Sequence, residues 1–382
     1  MRKVPKFVWA VFACLLCIVI TAGVCLLRGN STTSSDKYGE VIKVLQANFY
    51  TVPDTTHLED ASASAMVAAL DDPWSYYMTA EEYAEYNLAA TNQYIGIGIT
   101  TEFNERYQYL AITSVAPGSP ADNAHIKVGN MVAAVDNVDV SQYTPEELDA
   151  LIRSYDEKEK DEDKYMTIHL LNTQGGKADA KVKCELIYMS PVTYYMVDKS
   201  LIGYVRISNF DDSTAAALKS AVSDLEKQGA NSLILDVRDN QTGKPAELSE
   251  SLDYLLGKCD MFVLRDQNAK ENTYSSGNSH VELRTVVLIN ENTGCAAEIF
   301  AYCMQQYGNA KIVGRRTLGN SQSQVIVELS DGSAIRVSKY QYLTLDKKSL
   351  AEIGGVVPDV FSSQIEDSDM DVQLEAAIDA AS

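Results

Sequence analysis

Apolar and polar positions change their spacing several times along the chain, and each change predicts a different kind of element. From Phe7 to Leu27 the residues are uncharged and apolar, preceded by Arg2, Lys3 and Lys6. That length suits a membrane-crossing helix, and the basic flank assigns the N-terminus to the cytoplasm and the bulk of the chain to the other side. The run is longer than a signal-peptide core and no small-x-small cleavage site precedes Arg28, so the expectation is an uncleaved single-pass anchor. A linker, GNSTTSSD, follows. Over 37–70, Val41, Val44 and Leu45 recur at helical spacing. Thr79 with Glu82 three residues on is a capping box that opens another helix.

Residues 93–188 read as a small β-rich module. YIGIGIT, YLAITSVA, MVAAVDNVDV and YMTIHLL are strand-like and separated by Gly, Pro and Asn signals. One helix interrupts them, with Thr144 as cap, Pro145 in the first turn and Glu147 closing the box before LDALIRSY. The charged run DEKEKDEDK is expected to be a solvated hairpin tip. From about residue 200, strands alternate with helices: LIGYVRIS, TAAALKSAVSDLEKQG, SLILDVRD, ELSESLDYLLG and TVVLINEN, an order that implies βαβ units on one sheet. Strands SQVIVELS and SAIRVSKYQYLTL and a last helix, DVQLEAAIDAA, complete the chain, and no internal repeat is present.

Composition narrows the function classes. Of 382 residues 46% are apolar, enough for a sizeable core. All 53 acids and 28 of the 32 bases lie from Asp36 onward, a balance of −25 that disfavours nucleic acid and anionic lipid. Cys14, Cys17 and Cys25 fall in the anchor; Cys184, Cys259, Cys295 and Cys303 are scattered and make no disulfide framework. His57, His125, His169 and His280 form no ligand-spaced cluster, so no metal and no cofactor is expected. The stretch NTGCAAEIF places Cys295 where a strand turns sharply into a helix, a geometry that presents nucleophiles. The residue is read three ways: a working nucleophile, a substituted one, or a small residue filling a buried turn.

Together these segments resemble the C-terminal processing peptidases, membrane-associated Ser–Lys proteases with an inserted PDZ domain. The resemblance runs over 38–380 through DDPWSYYMTAEEY, YIGIGI, APGSPADNAHIKVGNMVAAVDNVDV, IGYVRISNF, LILDVRDN, IVGRRTLGN, DGSAIRVSKYQYLT, GGVVPDV and DVQLEAAI, in family order. It implies an α+β multidomain chain: tip, transmembrane anchor and linker (1–35), an N-terminal helical region (36–91), a PDZ domain (92–188) and an α/β, crotonase-like ββα peptidase core with C-terminal strands (189–382). In the resemblance Gly96, Ile97 and Gly98 form the loop that receives a peptide's terminal carboxylate, the 145–155 helix is the other groove wall, and Arg153 matches an arginine that couples PDZ domain to protease. The partners implied are unfolded or C-terminal segments of exported proteins, with homodimers through the helical region.

The resemblance breaks at the chemistry. The family's serine, its lysine base twenty-five residues later and a glutamine four beyond fall on Cys295, Asn320 and Gln324. An Asn-Pro-Gly-Gly loop that supplies an oxyanion N–H falls on Asn240, Gln241, Thr242 and Gly243, and Ala296 would supply the second N–H. Thr242 thus stands in a glycine's place, beside a cysteine for serine and an asparagine for lysine. Amide hydrolysis needs a proton delivered to the leaving nitrogen, and Asn320 carries none to give; general acid–base help is worth roughly 10²–10⁴-fold. The expectation is a pseudoprotease that binds peptides. The rival is an active thiol peptidase with a base from elsewhere, for which Lys244, Lys311, Lys339 and His280 are the candidates.

Overall fold

The computed structural model describes residues 37–156, 158, 160, 164–277, 281–364 and 370–382. The expected anchor, 7–27, and the candidate base His280 lie outside the described residues. No helix among the described residues is long and apolar enough to cross a membrane. The chain divides into two compact units, one ending at Ala69 and one from Leu70 to Ser382.

Among the described residues the first unit carries two helices. Lys37–Asn48 buries none of its residues and leaves Tyr38, Val41 and Val44 exposed. Thr55–Ala68 is capped by Asp54, whose Oδ1 accepts from the Thr56 and His57 N–H groups.

The second unit begins with the Tyr76–Met78 strand and the Ala80–Ala90 helix, where the Thr79–Glu82 capping box forms as the spacing predicts. Next comes a β-rich body. Strands Ile99–Asn104, Tyr109–Val115, Met131–Val135, Tyr165–Leu171 and Lys177–Lys183 form one sheet in that order. Gln93–Gly96 pairs antiparallel with Glu185–Tyr188. YIGIGIT is therefore not the single strand its alternation suggests. At Gly98 the chain adopts φ +91° and lies so close to Ser119 that a Cβ would sit 2.2 Å from the serine Cβ, so only glycine fits the break. Helix Pro145–Arg153, with the Thr144–Glu147 box in place, seals the sheet by burying Leu148 and Ile152 against Ile112, Val132 and Ile168. Much of DEKEKDEDK lies outside the described residues. Its described ends, Asp156 and Lys164, are ion-paired at 2.7 Å and join that helix to the next strand. The run thus connects a helix to a strand, a correction to the expected hairpin tip: the Thr144 helix, not a strand, precedes it.

The remaining core is mixed α/β. Val192–Met196 pairs antiparallel with Ile202–Ile207, and Ser232–Asp236, Arg284–Ile289, Lys311–Gly314 and Val360–Phe361 follow in parallel. Both faces of this sheet are buried, as parallel sheets require. Val205, Leu233, Leu235, Val287 and Ile289 face helices Thr214–Lys227, Pro245–Leu255 and Ala296–Gln306. The alternate residues Tyr204, Ile234, Val286 and Leu288 face the last helix, Val372–Ala381. An antiparallel sheet packs beside it, centred on the long Ala334–Leu343 strand with Gln322–Glu328 along one edge and Tyr76–Met78 and Asp260–Asp266 along the other.

Candidate functional site

Strand Arg284–Ile289 leaves the sheet and reaches helix Ala296–Gln306 through a turn ending at Cys295. Two loops clasp that turn. From one side Gly294 N–H donates to Asn240 O at 2.9 Å and Thr293 Oγ1 donates to Val237 O at 3.0 Å. From the other, Leu318 N–H donates to Thr293 O at 2.9 Å and Cys295 N–H to Asn320 O at 3.1 Å. Glu298, one turn into the helix, ties down the second loop by accepting from Thr317 Oγ1 and from Gly319 N–H at 2.6 Å. Held this way, Cys295 adopts φ 53° and ψ −121°, a strained conformation that clusters at functional turns and costs of order 1–3 kcal/mol.

Burial and a backbone carbonyl favour the protonated thiol at Cys295. Its Sγ–H donates to Gln322 O at 3.1 Å, and the residue is only 2% exposed. Burial pushes the thiol up to about 12, against the opposing pull of the Ala296 N–H and Arg336. Asn320, 3% exposed, directs its Oδ1 to the Gln322 N–H at 3.0 Å. Gln324 Nε2 donates to Gln322 O at 3.0 Å, and its Oε1 accepts from Arg336 Nη2 at 2.9 Å. Cys295, Asn320 and Gln324 thus meet around the backbone of one residue, Gln322. The Thr242 N–H is directed at Asn240 Oδ1 within its own loop, at 3.3 Å. Gly243 runs beside the first helical turn, where a Cβ would come within 2.9 Å of the Ala296 Cβ.

A cleft of about 400 Å³ opens here, lined by Cys295, Thr242, Gly243, Gln324 and, from outside the predicted set, Tyr86, Asp211 and Arg336. Asp211 is 7% exposed, and burial raises its carboxyl to about 6 against the pull of Lys244. Nothing in its local sequence, SNFDDS, singles it out; only the packing does. Lys244 is the one lysine among the described residues that lines the cleft. It is 54% exposed, with Nζ 2.6 Å from Asp212. Lys311 pairs with Val286, at the end of the sheet away from Ile289 and the turn. Lys339 is exposed and lies over the Tyr340 ring. His57 and His125 are exposed, and His169 pairs with Asp179 at 2.7 Å; none of the three lines the cleft. Cys184, Cys259, Cys295 and Cys303 are free thiols.

A second cavity, of about 640 Å³, lies between the Gln93–Gly96 strand, helix Pro145–Arg153 and helix Ala80–Ala90. Ile95, Ile97, Ile99, Leu88 and Ile152 make its apolar wall. Gly96, Ile97 and Arg153 all line it, whereas Gly98 turns the chain behind it against Ser119. Strand Ile99–Asn104 beside it is the edge of its sheet, with one side unpaired among the described residues.

Comparison with known proteins agrees with this architecture. Residues 201–362 match Peptidase family S41 and residues 86–159 match the PDZ domain. The chain is 31% identical over 345 residues to the carboxy-terminal processing protease CtpA of Bacillus subtilis, covering 88% of this chain and 72% of that protein. It is 29% identical over 324 residues to a CtpA-like serine protease of Staphylococcus epidermidis, covering 84% of this chain and 64% of that one. A solved structure described as an S41 protease from Bacteroides fragilis superposes with a TM-score of 0.57 at 15% identity, over 89% of this chain and 96% of that chain, a likeness of fold. With its PDZ body and S41 core assembled around one strained turn, this chain belongs to the C-terminal processing proteases of peptidase family S41.

Proposed function

We propose that this chain is a pseudoprotease: a membrane-anchored, extracytoplasmic S41 homologue that binds peptide C-termini through its PDZ groove and has lost efficient peptide-bond cleavage. Residues 7–27 are the anchor, unfolded or C-terminal segments of exported proteins are the partners, and the helical region 36–91, with Tyr38, Val41 and Val44 exposed, supports a homodimer. Cys295 takes the serine position, Asn320 the lysine position and Gln324 the glutamine position, with Ala296, Thr242 and Gly243 about the oxyanion site.

One observation carries the reading: the Cys295 thiol donates its proton to a backbone carbonyl, and the side chain at the lysine position is an amide turned to a neighbouring N–H. Attack on an amide would require the thiol to lose a proton that burial holds to about pH 12. The tetrahedral intermediate would then need a proton on the leaving nitrogen; without one it expels the thiolate and reverts. Absent acid–base help removes roughly 10²–10⁴ in rate. A misdirected oxyanion donor at Thr242 removes about 10²–10³ more.

Lys244 favours a second reading, an active thiol peptidase, because it lines the same cleft. Incubating the full chain with denatured casein separates the two. The expected outcome is no turnover above a Cys295→Ala control. Turnover that Cys295→Ala abolishes establishes the peptidase instead.

A further inference from the structure

We propose that the PDZ groove selects peptide tails that carry lysine or arginine just upstream of an apolar C-terminal residue. The inference rests on the tail-binding reading of that groove and adds the chemical class of ligand.

The floor of the groove is apolar, with Ile97, Ile99, Ile152 and Leu88 suited to one apolar side chain. No carbonyl among the described residues accepts from the Ile97 or Gly98 N–H, which leaves both free for a carboxylate at the loop. The edge strand Ile99–Asn104 offers its unpaired side to an added strand. The rim above this floor is acidic. Glu81 and Glu85 come from one helix wall, Asp149 and Asp156 from the other, and Arg153 is the single cation among the lining residues.

The pairing of these charges decides what they can do. Arg153 meets Glu85 at 3.5 Å and Asp156 meets Lys164 at 2.7 Å. Among the described residues Glu81 and Asp149, on opposite walls, stand in no ion pair. Asp149 feels a partial pull from Arg153, which is itself paired with Glu85, so a peptide carboxylate entering between the walls still meets net negative charge. A lysine or arginine in the same tail offsets that repulsion and gains both partners. Because side chains alternate along an added strand, neighbours of the buried terminal residue point out toward the rim rather than to the floor. Each exposed carboxylate paired with a cation contributes roughly a 1.5- to 5-fold preference, so the two together give about tenfold. The acidic balance of the chain steers cationic tails toward it in the same sense.

The test is fluorescence anisotropy of the full chain with short labelled peptides. All share one apolar C-terminal residue and carry upstream lysines, serines or glutamates; an amidated copy of the lysine peptide is the fourth probe. Expected is the order lysine, serine, glutamate with about tenfold between the first two, narrowing as salt is raised, and weaker binding of the amidated copy. In E81K/D149K the order inverts, and in the milder E81Q/D149N it flattens; all four changes are at solvent-facing positions. Equal affinity for the three free-acid peptides overturns the charge preference and leaves the groove a tail receptor. An order that persists in both variants overturns it too, by assigning the effect to the charge of the whole chain. Absent binding, or an amidated peptide that binds as well as the free acid, removes the tail-binding reading and this inference with it.

Discussion

Alkylation of the Cys295 thiol tests the central chemical argument directly. Iodoacetamide reacts with thiolate, so its rate reports the ionised fraction and the access to it. A cysteine at 9.0 is about 3% thiolate at pH 7.5, whereas one at about 12 is roughly 0.003% ionised, a ~10³-fold deficit before any steric loss. With the residue 2% exposed, access lowers the rate further. Incorporation followed by peptide mass spectrometry, with a free peptide thiol as reference, should therefore be at least about 10³ slower at pH 7.5. It should climb about tenfold per pH unit with no plateau below pH 10. The charges in the cleft set the direction of two variants. Asp211→Asn removes a carboxylate that raises the thiol's pKa and should speed alkylation by about two- to fivefold; Arg336→Gln should slow it. A plateau below pH 8, or a rate within tenfold of the reference, would refute the reasoning and return Cys295 to the ranks of activated nucleophiles.

Three further outcomes follow from the same geometry. Combining Cys295→Ser with Asn320→Lys should produce casein cleavage about 10²–10⁴ above either single change, since the residue 320 carbonyl already accepts the Cys295 N–H; no gain would place the defect in the Thr242 loop. Glu298 keeps its proton to about 7 in the fold because of burial, against 4.5 unfolded, so the folded state binds the extra proton between those values. Its contribution is full below pH 4.5 and is lost as pH rises to about 7, some 3 kcal/mol over the window; Glu298→Gln should flatten that part of the urea stability profile, and an unchanged slope would count against it. Gly98→Ala puts a Cβ 2.2 Å from the Ser119 Cβ at a φ of +91°, and should lower the unfolding midpoint, abolish tail-peptide binding and leave the Cys295 alkylation rate unchanged; an intact peptide affinity would contradict the role of this loop.

Much of the architecture was legible because its signals are local. The boxes at Thr79 and Thr144 involve residues three apart, and both helices start there. Apolar runs such as LILDV and TVVLI mark strands buried on both faces, and they sit side by side in the parallel sheet. The order of motifs also placed Cys295, Asn320 and Gln324 in one register, and the fold gathers them about Gln322. Where period alone was the guide it failed at Gly98, because alternation continues through a break that only the contact with Ser119 enforces.

The sequence by itself thus determined most of the elements, their order and the residues that stand at the strained turn, since backbone period and capping act over a few residues. Only the tertiary structure decided the thiol's protonation and surroundings. Asp211 from a loop, Arg336 from the long Ala334–Leu343 strand and Tyr86 from the Ala80–Ala90 helix line the cleft with Cys295, and Lys244 is drawn off to Asp212. Burial sets the ionisation, and burial belongs to the packed chain, not to any stretch of it.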